Sequence, residues 1–126
     1  MFYLLKLVSI MNPQWKVLIG GKPVQLKVLK TDAERGAGYQ HHLHSPSLSE
    51  GLLFLFSDEL GRTFHMRNVS FDLDLIGFNT DGEMVCIIPM KANNQQKYFT
   101  PPCKFVVEVA KGFSDDLPEN CSIKLL

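Results

Sequence analysis

The chain has no surplus of either charge: thirteen basic residues balance thirteen acidic ones across 126 residues. Nucleic-acid binders usually carry a basic patch and a basic surplus, so that class is set aside. Cysteine is scarce as well. Cys86, Cys103 and Cys121 are odd in number, widely spaced and without a Cys-x-x-Cys pair. They read as reduced thiols in or near strands, not as a disulfide framework or a zinc site, although export would leave room for one disulfide. No apolar run approaches the roughly 20 residues of a membrane span. The run from Met1 to Ile10 is interrupted by Lys6 and followed by Asn12-Pro13-Gln14, with no Ala-x-Ala. Residues 1–14 therefore read as an N-terminal strand or arm instead of a signal peptide, and the cytoplasm is the default location. Repeats, low-complexity tracts and linkers are also missing, so residues 1–126 are expected to form a single domain. No Gly-x-Ser-x-Gly, P-loop or Gly-x-Gly-x-x-Gly is found, and no nucleophile or cofactor is indicated.

What remains is a globular composition, 45% hydrophobic, cut into short apolar segments by turn residues. Trp15 to Ile19 and Val24 to Leu29 read as a hairpin, with Gly20-Gly21 supplying the positive φ of the turn. Thr31-Asp32-Ala33-Glu34 has the form of a capping box and opens a short helix. Tyr39 to Gly51 is a polar loop carrying His41, His42 and His44. Leu52 to Phe56 is continuously apolar, as in a strand buried on both faces. Thr63 to Arg67 can be extended. From Phe71 the pattern alternates, with Phe71, Leu73 and Leu75 on one face and Asp72 and Asp74 on the other. Asn79 to Gly82 is a turn, and Met84 to Ile88 is the returning strand, ended by Pro89. Lys91 to Pro102 reads as a long loop. Phe105 to Val109 and Ser122 to Leu126 are further strands, separated by a turn at Gly112 to Asp116.

These landmarks, in this order, resemble the uncharacterised small-domain family called domain of unknown function 192. The family pattern has Glu-Arg followed by Gly-Leu-Met, here Glu34-Arg35-Gly36-Ala37-Gly38-Tyr39-Gln40. Its Gly-Met-Leu-Phe-x-Phe is matched by Gly51-Leu52-Leu53-Phe54-Leu55-Phe56. Its Phe-Trp-Met-Lys-Asn-Thr is matched by Phe64-His65-Met66-Arg67-Asn68-Val69, and its Pro-Leu-Asp by Asp72-Leu73-Asp74. The stretches Phe78 to Met84 and Val107 to Gly112 correspond to its later motifs. The likeness covers about residues 24 to 125. The departures are His65, Asp72, Tyr39 and Gln40, which would alter any family site built from those positions. The resemblance implies a fold and no established activity.

Five residues are candidate ligand contacts: Arg35, His65, Arg67, Asn68 and Asp74. Arg35 can fork onto a carboxylate or phosphate, or form an internal ion pair with Asp74 or Glu108. Strand alternation places His65 and Arg67 on one side, opposite Phe64, Met66 and Asn68. Asp72 and Asp74 could hold a metal or share acid and base roles with His65. The three loop histidines lack the spacing of a zinc site.

The expected fold is α+β: a mainly antiparallel β-sheet or partly closed barrel with one or two short helices. The expected function is a non-enzymatic binding or accessory module for a small polar or anionic ligand. A small metal-dependent hydrolase using Asp72, Asp74 and His65 is one alternative. A structural interaction domain, such as a homodimer joined along an edge strand, is the other.

Overall fold

A computed structural model describes residues 13–126. Of the N-terminal strand or arm expected over residues 1–14, residues 1–12 lie outside those described.

The first hairpin forms where the paired glycines place it. Strand β1 (Gln14–Ile19) pairs antiparallel with β2 (Lys22–Leu29) through Gly20 and Gly21, at φ 57° and 83°. Both signs suit the tight turn that keeps the strand twist continuous. Helix α1 (Asp32–Ala37) follows, and the capping box is complete. The Glu34 amide donates to Thr31 Oγ1 at 3.1 Å, and the Thr31 amide donates back to Glu34 Oε1 at 3.0 Å.

Strand β3 (Glu50–Leu60) then lies parallel to β2, with Val28 opposite Leu53. A parallel neighbour cannot be reached by a tight turn. The segment from α1 through the polar loop supplies the crossover. β3 pairs antiparallel with β8 (Cys103–Ala110), which pairs with β5 (Leu73–Phe78), which pairs with β6 (Met84–Met90). β9 (Ile123–Leu125) closes the other side against β1, giving the order β6-β5-β8-β3-β2-β1-β9. The sheet is thus mixed and not purely antiparallel. Its two edges come together at one end: the Ile123 amide donates to Gly82 O at 2.9 Å and Met84 N to Cys121 O at 3.0 Å. The curl gives the partly closed barrel expected, with one short helix among the described residues.

Two apolar layers follow from this curl. Inside it, Ile19, Leu26, Leu53, Ile76, Phe78 and Val107 pack together with Phe113. On the outer face, Leu52, Phe54, Leu73, Leu75 and Val106 are covered by a two-stranded ribbon. That ribbon is β4 (Thr63–His65) paired with β7 (Lys97–Phe99), which contribute Phe64 and Tyr98. Central strands covered on both faces must be apolar at successive positions, which is why Leu52 to Phe54 reads as a run.

The structure differs from the sequence reading in four local places. β3 continues to Leu60, and the chain turns at Gly61 and Arg62. Pro89 does not end β6; the strand runs on to Met90 because β6 has a partner on one side only, where a missing N–H costs nothing. Lys91 to Pro102 holds β7 and is not wholly loop. β4 stops at His65, and Asn68 takes a left-handed φ of 61°, so Asn68 does not continue the Phe64–Met66 face.

Gly51 sits at the junction of the parallel and antiparallel pairs. A β-carbon there would lie 2.6 Å from Glu108 O and 2.9 Å from Val109 Cγ1. We expect Gly51→Ala to destabilise the fold by about 1–3 kcal/mol, as overpacking does. Urea unfolding followed by circular dichroism measures it; an unchanged midpoint would contradict the crowding.

Candidate functional site

The crossover from β2 to β3 carries α1 over the outer face of the sheet. The β4–β7 ribbon covers the same face from the other side. Between them lies a cleft of about 360 Å³. Phe54, Phe56 and Phe64 form its apolar wall, and Arg35, His65 and Glu108 are among its polar groups. Phe54 and Phe64 meet edge to face, with ring centres 5.2 Å apart.

Arg35 reaches the cleft from the last turn of α1, but its guanidinium is committed. Nη1 donates to Lys30 O at 2.5 Å and to Leu55 O at 2.8 Å, and Nη2 donates to Asp32 Oδ1 at 2.6 Å. Neither Asp74 nor Glu108 is its partner; the carboxylate one turn back along the helix is closer to hand. Arg62, from the β3–β4 turn, is held in the same way by Asp58 Oδ1 at 2.8 Å and Cys103 O at 3.1 Å. Both guanidinium groups lie over the Phe56 ring, at 4.9 and 3.8 Å from its centre.

His65 lines the cleft from β4. Its Nδ1 accepts from the Arg67 amide at 3.2 Å, which leaves the proton of the neutral ring on Nε2. Partial burial, and then the Arg67 charge, hold its pKa below the usual histidine value.

Glu108 is the group the cleft is built around. It lies on β8, on the outer face, and only 4% of it is exposed. Its Oε1 stands 3.8 Å from where a β-carbon on Gly38 would be. Gly38 has φ 46° and ends α1, so glycine lets the chain turn sharply just above the carboxyl. Burial alone pushes the Glu108 pKa up to about 8. No hydrogen bond and no charge offsets that desolvation, and among the described residues no cation pairs with it. Tyr39, beside the same cleft, is raised by burial and then by the charges of Glu108 and Glu50.

Of the five candidate contacts, Arg35 and His65 are brought together here. Asn68 stands one residue removed: its Nδ2 donates to Oε1 of Gln40, a lining residue, at 3.3 Å. Arg67 and Asp74 do not line the cleft. Asp74 is a structural anchor. Its Oδ2 accepts from the Gly112 amide at 3.2 Å, the Ser114 amide at 3.2 Å and Ser114 Oγ at 2.6 Å, fixing the turn after β8. Asp72 accepts from the Ala92 amide at 2.8 Å and faces Lys111. That amide, followed by Lys111, holds the Asp72 pKa below the usual carboxylate range. The two aspartates are thus spoken for by separate segments. His42 and His44 line a wider cleft of about 840 Å³ with Lys16 and Lys27. Among the described residues no group of three or more His, Cys, Asp or Glu is placed to hold a metal ion. No helix among them is long and apolar enough to cross a membrane. Cys86, Cys103 and Cys121 are all free thiols.

Sequence reading placed Glu108 only as a partner for Arg35. The available signal was a lone acid within the apolar run Phe105 to Ala110.

The profile of the family called domain of unknown function 192 (DUF192), described as an uncharacterized ACR, matches residues 15–118. The chain belongs to this family. Several of the DUF192 motifs quoted from the sequence contribute to the cleft: Arg35 to Gln40, Phe54 and Phe56, Phe64 with His65, and Glu108. Two solved structures share the fold. One, from Sinorhizobium meliloti 1021 and provisionally described as a transcription regulator, has a TM-score of 0.84 at 15% identity, covering 90% of this chain and 95% of that one. The other, a protein of unknown function from Novosphingobium aromaticivorans DSM 12444, has a TM-score of 0.79 at 22% identity, covering 90% and 84%. No curated protein matches the chain.

Two outcomes are expected from these contacts. A carboxyl whose folded pKa lies above its unfolded value stabilises least at high pH, so the Glu108 contribution is lost as pH rises from 4.5 towards about 8. The stability of Glu108→Gln relative to the native chain should therefore improve between about pH 5 and pH 8.5 in urea unfolding, and a constant difference would refute the shift. Asp74→Ala should cost about 3 kcal/mol through the orphaned turn amides, measured the same way at pH 7.

Proposed function

We propose that this DUF192 domain is a non-enzymatic binding module, with a small polar ligand seated in the cleft between α1 and β4. The observation that carries this reading is Glu108, 4% exposed, lining the cleft and without a hydrogen-bond or ionic partner among the described residues. Burying a carboxyl without compensation is costly, so an isolated one at the foot of a cleft is a group kept for a ligand. The cleft suits a small molecule, being near the lower end of the about 300–1,000 Å³ of ligand sites. Its phenylalanines give contact area, while the His65 Nε2–H and Glu108 supply orientation. Arg35 contributes less than its position promised. A guanidinium already bonded to Asp32 and two carbonyls has little left for an anion.

The test is a thermal-melt panel of amines, sugars, nucleotides, small carboxylates and divalent metals with and without chelator. A ligand at a hundred times its Kd adds about 2.7 kcal/mol, which raises the melting temperature by several degrees in a domain of this size. The shift should vanish in Glu108→Leu and shrink in His65→Ala. A ligand whose shift survives both substitutions binds elsewhere and removes this cleft from consideration.

A further inference from the structure

The charges around the cleft are unevenly satisfied. Its two cations each have a carboxylate and at least one backbone carbonyl: Arg35 has Asp32, Lys30 O and Leu55 O, and Arg62 has Asp58 and Cys103 O. Neither can swing to Glu108 without abandoning those bonds. Glu108 has nothing. The strands beside it bring no positive charge to its face: Leu52 of β3 and Leu75 of β5 are its register partners, and Glu50, two residues before Leu52, is itself acidic. The other titratable groups lining the cleft are Asp32 and Arg35 from α1, Tyr39 after it, Arg62 from the turn and His65 from β4. His65, with its pKa depressed, is neutral near pH 7. The missing member of this set is therefore a positive charge. Phe54 and Phe64 line the same cleft, and aromatic rings of this kind favour a cation placed over their faces.

We propose that the cleft takes a small organic ammonium ion, an amine on an apolar body, which pairs with the Glu108 carboxylate and packs against Phe54 and Phe64. This rests on the binding reading above and narrows its ligand to one sign of charge. An incoming ammonium ion supplies the counter-charge that burial denies to Glu108, so the ionised form becomes the favoured one on binding. Below the pKa of the free carboxyl, binding then releases one proton, and affinity rises with pH until that carboxyl is already ionised.

Benzylamine and butylamine, with benzyl alcohol and benzoate as uncharged and anionic counterparts, test this on the full chain by calorimetry and thermal melts. The amines should bind, with affinity rising about tenfold per pH unit between pH 6 and 7 and levelling near pH 8. Benzyl alcohol and benzoate should give no shift. Glu108→Gln should abolish the amine response while its circular dichroism spectrum stays native. Glu108→Asp withdraws the charge by one methylene, and should weaken the amines while keeping the pH slope. It also serves if Glu108→Gln does not fold. Benzyl alcohol or benzoate binding as well as benzylamine, an amine affinity indifferent to pH, or an unchanged affinity in Glu108→Asp would each overturn the cationic ligand and leave the cleft as a binding site. Silence towards these probes and towards the whole polar panel would overturn both.

Discussion

The parallel pairing of β2 with β3 is the constraint on which the rest depends. Antiparallel strands can be joined by two residues, as Gly20 and Gly21 show, but parallel ones need a crossover. That crossover carries α1 and the polar loop over the outer face of the sheet. The capping box at Thr31 and Glu34 makes the short helix form at the start of this passage, and Gly38 ends it with a left-handed residue. The β4–β7 ribbon approaches the same face from the opposite direction. The crossover touches the segment that leaves β4, where the His41 amide donates to Asn68 O at 2.8 Å, and the gap left between α1 and the ribbon is the cleft.

The floor of that gap inherits the demands of a strand buried on both sides. β8 lies between β3 and β5, and Val106 and Val107 are packed into opposite layers. Every polar group placed on such a strand must find a partner or lose its charge. Glu108 does the second. Asp74, on the neighbouring strand and on the inner side, does the first, by accepting from Gly112 and Ser114. Two buried acids in adjacent strands thus have opposite fates, decided by whether amides are within reach. The pair illustrates why one reads as architecture and the other as a site.

Much of the frame was legible in the linear order of residues. The glycine hairpin, the capping box, the apolar run at Leu52 to Phe54, the alternation from Phe71 and the turn at Asn79 to Gly82 each depend on a few adjacent side chains. Their physics is local, so they could be read locally. The family motifs were legible for the same reason. What escaped reading depended on neighbours distant in sequence. Pro89 is tolerated because β6 lies at an edge. β7 exists because β4 pairs with it. Arg35 spends its donors on Asp32 and on Leu55, twenty residues away. Arg67 leaves the His65 face, and Asn68 the Phe64 face, because the strand ends before them.

Local chemistry is enough to make a β-rich domain with a capped helix after Thr31, because turn and cap residues act within a few bonds of where they sit. Side-chain chemistry also puts Arg35 and His65 among the candidates. Folding in three dimensions brings these two to one cleft, gives Asp72 and Asp74 to separate segments, and leaves Glu108 as the buried acid without a partner among the described residues. Satisfaction of a polar group is a property of its surroundings in space. Strands β3, β5 and β8 set those surroundings for Glu108 by packing it between leucines, with no donor near enough to answer it.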